Sequence, residues 1–186
     1  MYTITAQTRD QKAKAHQLRR SGFVPCVIYG AQLPQSLSIQ LTRGEAEQLR
    51  RDRRTGSKIG IQLGGTTYPT LIKELDFNTL TSEIIHVSFQ LLERGKKINS
   101  VADIVLLNRD TVPGVLELMQ LRVPHAAEPE YLLDTVAVDL ENMPVGTTLT
   151  VGDIPAFRSD KIELQSDPSA IVLRIRDKKR AEARFA

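Results

Sequence analysis

Short runs of alternating polar and apolar residues, closed off by Gly and Pro turn signals, recur along nearly the whole chain and confine it to a mainly β architecture. "YTITAQTR" opens with that period from Tyr2, "FVPCVIYG" follows from Phe23, and "SLSIQL" runs from Ser36 to Leu41. "SKIGIQLGGTTYPTLIKELDF" is two strands joined at Gly64-Gly65, a dipeptide suited to the tight turns that match strand twist. In "SEIIHVSFQLL" the alternation Ile85, Val87, Phe89, Leu91 makes one face apolar and gives His86 and Ser88 the opposite face. Pro25 falls near the start of its strand, where a missing donor harms a sheet least.

Two segments break the period. At Thr42 the sequence "TRGEAEQLRRDRR" offers Thr42 as N-cap with Glu45 three residues on, which predicts a surface helix to about Arg53 with Ala46 and Leu49 as its contact stripe. The run Arg50, Arg51, Arg53, Arg54 at its end reads as a solvated helix terminus whose cations complement the dipole. The second segment, Thr8 to Gly30, sets Arg9, Lys12, Lys14, Arg19 and Arg20 against the single anion Asp10 before an apolar strand begins. A short helix or pair of turns over Asp10 to Arg20, stopped by Gly22, would hold those cations in fixed relation to a folded body, an arrangement suited to a structured polyanion.

Charge divides the chain. Residues 1 to 99 carry 15 Lys plus Arg against 8 Asp plus Glu, a net of +7, and residues 100 to 175 carry 5 against 12, a net of −7. Composition shifts at Gly95-Lys96-Lys97, so two domains are expected, residues 1–93 and 94–186, the first facing a polyanion and the second facing protein or solvent. The second contains "SVADIVLL", "GVLELMQLRV", "TVAVDL", "TTLTVGDI" and "AIVLRIR", each read as a strand, and ends in a polar tail, "RDKKRAEARFA", able to form a fraying helix.

Several function classes lack their signatures. The longest apolar runs are too short to cross a bilayer, and the N-terminus has no signal-peptide core, so no membrane partner is expected. Cys26 reads as a small buried hydrophobe in a reducing compartment, and one cysteine with three scattered histidines offers no metal-ligand spacing. No phosphate-binding loop, dinucleotide fingerprint or nucleophile elbow occurs, and no carboxylate is paired with a base. No catalysis, cofactor or small-molecule substrate is expected.

Four passages in order carry a family resemblance: "LRRSGFVPCVIYG" (Leu18 to Gly30), "YPTLIKELDF" (Tyr68 to Phe77), "SEIIHVSF" (Ser82 to Phe89) and "MPVGTTLTVGDI" (Met143 to Ile154). With them the chain resembles the bacterial large-subunit ribosomal protein twenty-five family and its two-domain relatives, the general stress protein Ctc group. The resemblance implies a six-stranded β-barrel with small helices, followed by a β-rich C-terminal domain. It implies binding to the loop E region of 5S rRNA, contact with neighbouring ribosomal proteins, and a cytoplasmic, ribosome-associated location. The rRNA contacts it carries over are Arg9, Lys14, Arg19, Arg20, Tyr29, Lys73 and His86. Three positions depart from the family pattern: Asp76 and Phe77 stand where a polar residue and a cation are usual, and Ser88 stands where an aspartate is usual. Those departures motivate the alternative of a stress-response or protein-interaction factor with the same fold and weakened RNA binding.

Overall fold

The computed structural model describes residues 2–10 and 12–177 and separates into two compact units, Met1–Arg94 and Gly95–Ala186. The first contains β1 (Tyr2–Thr8), α1 (Ala15–Arg20), β2 (Phe23–Tyr29), β3 (Leu37–Thr42), α2 (Arg43–Asp52), β4 (Lys58–Leu63), β5 (Thr66–Phe77) and β6 (Ile84–Leu91). Its strands close into a six-stranded barrel in the order β1-β3-β2-β6-β5-β4. Neighbours are antiparallel except β1 with β4 and β2 with β6, which are parallel. Closure leaves no edge strand, and a barrel this small is filled by its own side chains. Val24, Cys26, Ile28, Ile39, Leu41, Ile59, Ile61, Ile72, Val87 and Phe89 make up most of that filling, and α2 adds Ala46 and Leu49.

Local chemistry explains the elements. Thr42 and Glu45 form the expected capping box: the Glu45 N–H donates to Thr42 Oγ1 at 3.2 Å, and the Thr42 N–H donates to Glu45 Oε2 at 2.9 Å. Gly64 and Gly65 sit at φ of +56° and +85° in a two-residue loop closed by the Leu63–Thr66 pair. That left-handed pair of residues is what a twist-matched hairpin demands, and glycine adopts it without strain. Pro25 pairs with Gln40 of β3, whereas the β2–β6 ladder starts one residue later, at Cys26 with Val87. The Arg43 N–H to Gly22 carbonyl bond turns Val24 and Cys26 toward β3 and Pro25 toward β6, so the missing N–H is what delays that ladder to Cys26.

One expected face is corrected. Register between β5 and β6 slips at Asp76/Phe77, where Phe77 pairs with Ile84 and Asp76 with His86. The bulge pushes Ile85 out to half-exposure and turns Ile84 into the core at 4% exposure, so Ile84 holds the core place that simple alternation gives to Ile85. A second slip at Ile72/Glu74 leaves both Lys73 and Glu74 pointing outward and exposed.

In the second unit β7 (Ile98–Leu107), β9 (Arg122–Ala127), β10 (Thr135–Asp139) and β12 (Ile162–Leu164) form a four-stranded sheet ordered β10-β7-β9-β12. Strands β8 (Val115–Leu118), β11 (Thr148–Thr150) and β13 (Ile171–Arg176) form a second sheet ordered β11-β13-β8. Ile104, Val123, Val136, Leu140, Phe157, Val172 and Ile175 are buried together in one core cluster. "GVLELMQLRV" is not one strand: the Met119 and Gln120 N–H groups both turn to the Val172 carbonyl, and the chain passes from β8 in one sheet to β9 in the other. "TTLTVGDI" is a strand only to Thr150. There the Thr150–Asp153 pair acts as a second capping box and starts a 3-10 turn over Val151–Asp153. The polar tail after Asp177 lies outside the described residues.

Candidate nucleic-acid interface

Because β1, β2, β3 and β6 send alternate side chains into the core, the remaining positions share the barrel's outer side, where Pro25 and Ser88 are nonetheless buried. Strand register aligns them into rows. One row runs Ser38, Val27, Ser88, Glu74 across β3, β2, β6 and β5. Arg9 extends it on the far side, because its N–H donates to the Ser38 carbonyl at 3.1 Å just past the end of β1. The next row holds Gln7, Gln40 and Pro25, then His86 and Asp76. Gln40 Nε2 donates to Gln7 Oε1 at 3.2 Å. Tyr29 and Gln90 form a third pair at the other end of β2 and β6.

The seven expected contact residues fall on this surface or beside it in different ways. Tyr29 and His86 are on neighbouring strands and the same face, but four positions apart, roughly 13 Å at strand rise. Arg19 sits in the last turn of α1, which packs on β2, and its Nε donates to the Ile85 carbonyl at 3.0 Å, next to His86. Arg9 Nη2 donates to the Ala13 carbonyl at 2.9 Å, tying the turn before α1 to the end of β1. Each guanidinium thus uses one nitrogen to hold the protein's own backbone. With five N–H donors per arginine, others remain for an anion, presented from a fixed position. Lys14 is the N-cap residue of α1 and Arg20 ends it, both exposed. Lys73 is exposed in the β5 bulge.

Sequence reasoning missed Gln7, Ser38, Gln40 and Gln90, which supply amides and a hydroxyl to the same face. Their only signal was being the outward members of period-two strands. Most of the cations flank the surface on the β1–α1 side, whereas the β5 side carries Glu74 and Asp76 together with Lys73. Asp76 Oδ2 is 3.8 Å from His86 Nδ1, so the carboxylate has an imidazole beside it. Partial burial, and next the Glu74 carboxylate, push the Tyr29 phenol upward from its usual range, keeping it a neutral hydroxyl able to donate or accept. Among the described residues no group of His, Cys, Asp and Glu is gathered as a metal site, and no helix is long and apolar enough to cross a membrane.

Residues 4–89 match the Ribosomal L25p family and residues 97–179 match the Ribosomal protein TL5, C-terminal domain. A closed six-stranded barrel of the first kind joined to a β-rich unit of the second defines a class of two-domain ribosomal proteins. Relatives match over both parts. "Large ribosomal subunit protein bL25" of Caldanaerobacter subterraneus subsp. tengcongensis is 26% identical over 93% of this chain and 88% of its own length. The proteins of the same name from Bacillus pumilus and Exiguobacterium sibiricum are 26% and 27% identical, over 94% and 89% of this chain and 85% and 75% of their own lengths. The chain belongs to the bacterial bL25 family of large-subunit ribosomal proteins, in its two-domain form. The relatives it matches are named as proteins of the large ribosomal subunit.

Proposed function

We propose that the chain binds 5S rRNA in the loop E region through the outer face of β1, β3, β2, β6 and β5, and that the acidic second unit faces neighbouring ribosomal proteins. The observation that carries the RNA half is Arg19 Nε held on the Ile85 carbonyl, which fixes a cation beside the strand face bearing His86 and Gln90, with Ser88 buried between them. In this mechanism Arg9, Lys14, Arg19 and Arg20 neutralise phosphates and set the register, and Lys73 does so from the β5 bulge. Tyr29, His86 and the glutamines meet sugar hydroxyls and base edges in the groove of an irregular RNA helix. Asp76 and Glu74 can accept from base amines but repel phosphate, so apart from the contact at Lys73 the RNA backbone lies toward the β1–α1 side.

The departures at Asp76, Phe77 and Ser88 favour the second reading, a stress-response or protein-interaction factor with weakened RNA affinity. Titrating the full chain with a loop E duplex and with a random duplex of equal length, over a range of salt, separates the two. Binding on the order of nanomolar, falling with salt and well above the random duplex, supports the proposal. Affinity equal for both duplexes would leave the interaction-factor reading standing instead.

A further inference from the structure

Unlike the barrel, the second unit has open edges. β10 ends its sheet, pairing only with β7, from Thr135 with Asp103 to Asp139 with Leu107. The flanking bonds fix which way its backbone faces: the Asp103 N–H donates to the Asp134 carbonyl, and the Leu140 N–H donates to the Leu107 carbonyl. In a parallel ladder the bonding residues alternate, so Asp134, Val136, Val138 and Leu140 face β7, and the N–H and C=O groups of Thr135, Ala137 and Asp139 point away. Among the described residues nothing pairs with them. Natural edges are usually blunted by lysine, proline or a bulge, and "TVAVD" has none of these.

The surroundings specify what fits. No Lys or Arg occurs from Val123 to Phe157; of the carboxylates there, Asp153 is 3.8 Å from Arg158 and Glu128 and Glu130 act on Lys161, which leaves Asp139 and Glu141 at the end of β10 as the acidic groups beside the edge. Asp139 is held ionised by the Glu141 N–H and the Asn108 amide, both bonding through Oδ1. Beside Ala137, Val105 of β7 is 37% exposed on the same face. The small alanine leaves it within reach of a longer side chain lying across the edge. We propose that β10 is a docking edge for an extended, basic polypeptide segment of a protein partner, added as a fifth strand with a cation beside Asp139 and an apolar side chain over Ala137 toward Val105. RNA is disfavoured by the carboxylates, and a second copy of this chain would bring two acidic edges together.

This deepens the protein-facing half of the function proposed above and rests on it. The test reads amides of the second unit, whereas the RNA titration concerns the barrel, so either half can fail alone. Hydrogen exchange of the full chain is measured with the synthetic peptide Lys-Val-Lys-Val-Lys-Val-Lys and with its Glu-Val counterpart. The Lys-Val peptide is expected to slow exchange at Thr135, Ala137 and Asp139 by about tenfold or more, and the Glu-Val peptide to leave them unchanged. Ala137→Pro removes an outward N–H without touching the β7 ladder and should abolish that protection. Glu141→Lys, at an exposed position, should weaken it independently of any folding effect of the proline. Absence of protection, protection by both peptides alike, protection by 5S rRNA, or concentration-dependent protection without peptide would each overturn the proposal.

Discussion

At the scale of single residues the two α1 arginines separate structural from binding work. Arg20 is exposed, so Arg20→Ala should leave melting unchanged and shallow the salt dependence of RNA binding by roughly one phosphate's worth. Arg19→Ala should do the same to the salt slope and also lower the melting temperature, because the Ile85 carbonyl loses its donor. An unchanged slope in either variant would remove that residue from the interface. His86→Ala should lower the preference for loop E over random duplex more than it lowers overall affinity. Equal losses on both RNAs would contradict a base-reading role. In the second unit His125 is fully buried, with Nε2 accepting the Leu133 N–H at 3.3 Å. Burial pulls its pKa below the usual histidine value, against the opposing carbonyl of Val123 and the Asp134 carboxylate. A depressed folded pKa means the unfolded chain takes the proton first, so stability is full above about pH 6.5 and is lost as pH falls below it. Melting curves followed downward from neutral pH should show this, and His125→Gln, which can still accept from Leu133, should flatten the dependence.

At the scale of elements, what could be read in advance depended on how local the determining chemistry was. The α2 capping box and the Gly64-Gly65 turn are set by residues within a few positions of each other, and both formed where the sequence placed them. Thr42→Ala should therefore cost about 1 kcal/mol in urea unfolding. The parallel pairs β1–β4 and β2–β6 left no local mark, since their register is chosen by closure of the barrel. The bulge that exchanges Ile84 for Ile85 was hidden for a related reason: two adjacent isoleucines satisfy either alternation, and only the β5 partner selects one. Likewise the break in "GVLELMQLRV" depends on the distant Val172 carbonyl. Close packing between elements has its own test at Gly30, where an added Cβ would sit 2.7 Å from Leu91 Cβ. Gly30→Ala is expected to destabilise the barrel by about 1–3 kcal/mol, with a neutral result meaning that the end of β2 gives way freely.

At the scale of the molecule, charge and topology divide in the same place. The basic unit is a closed barrel with no edge to extend, so it offers a partner side chains on a rigid curved face and no free strand. The second unit keeps open edges, and its residues 100 to 175 carry 5 Lys plus Arg against 12 Asp plus Glu, which suits backbone pairing with a basic chain. That contrast was visible early only as net charge, because exposure of an edge is a property of the assembled sheet. The proposed contact residues were legible as cations, one tyrosine and one histidine. Gln7, Ser38, Gln40 and Gln90 became candidates only once register aligned them with the others. The most direct test of the barrel face is amide chemical-shift mapping of the full chain against a loop E duplex at moderate salt. The expected result is one contiguous set of shifts over Gln7, Arg9, Arg19, Val27, Tyr29, Ser38, His86, Ser88 and Gln90. Shifts confined to β4 or to the second unit, or scattered over unrelated faces, would contradict it.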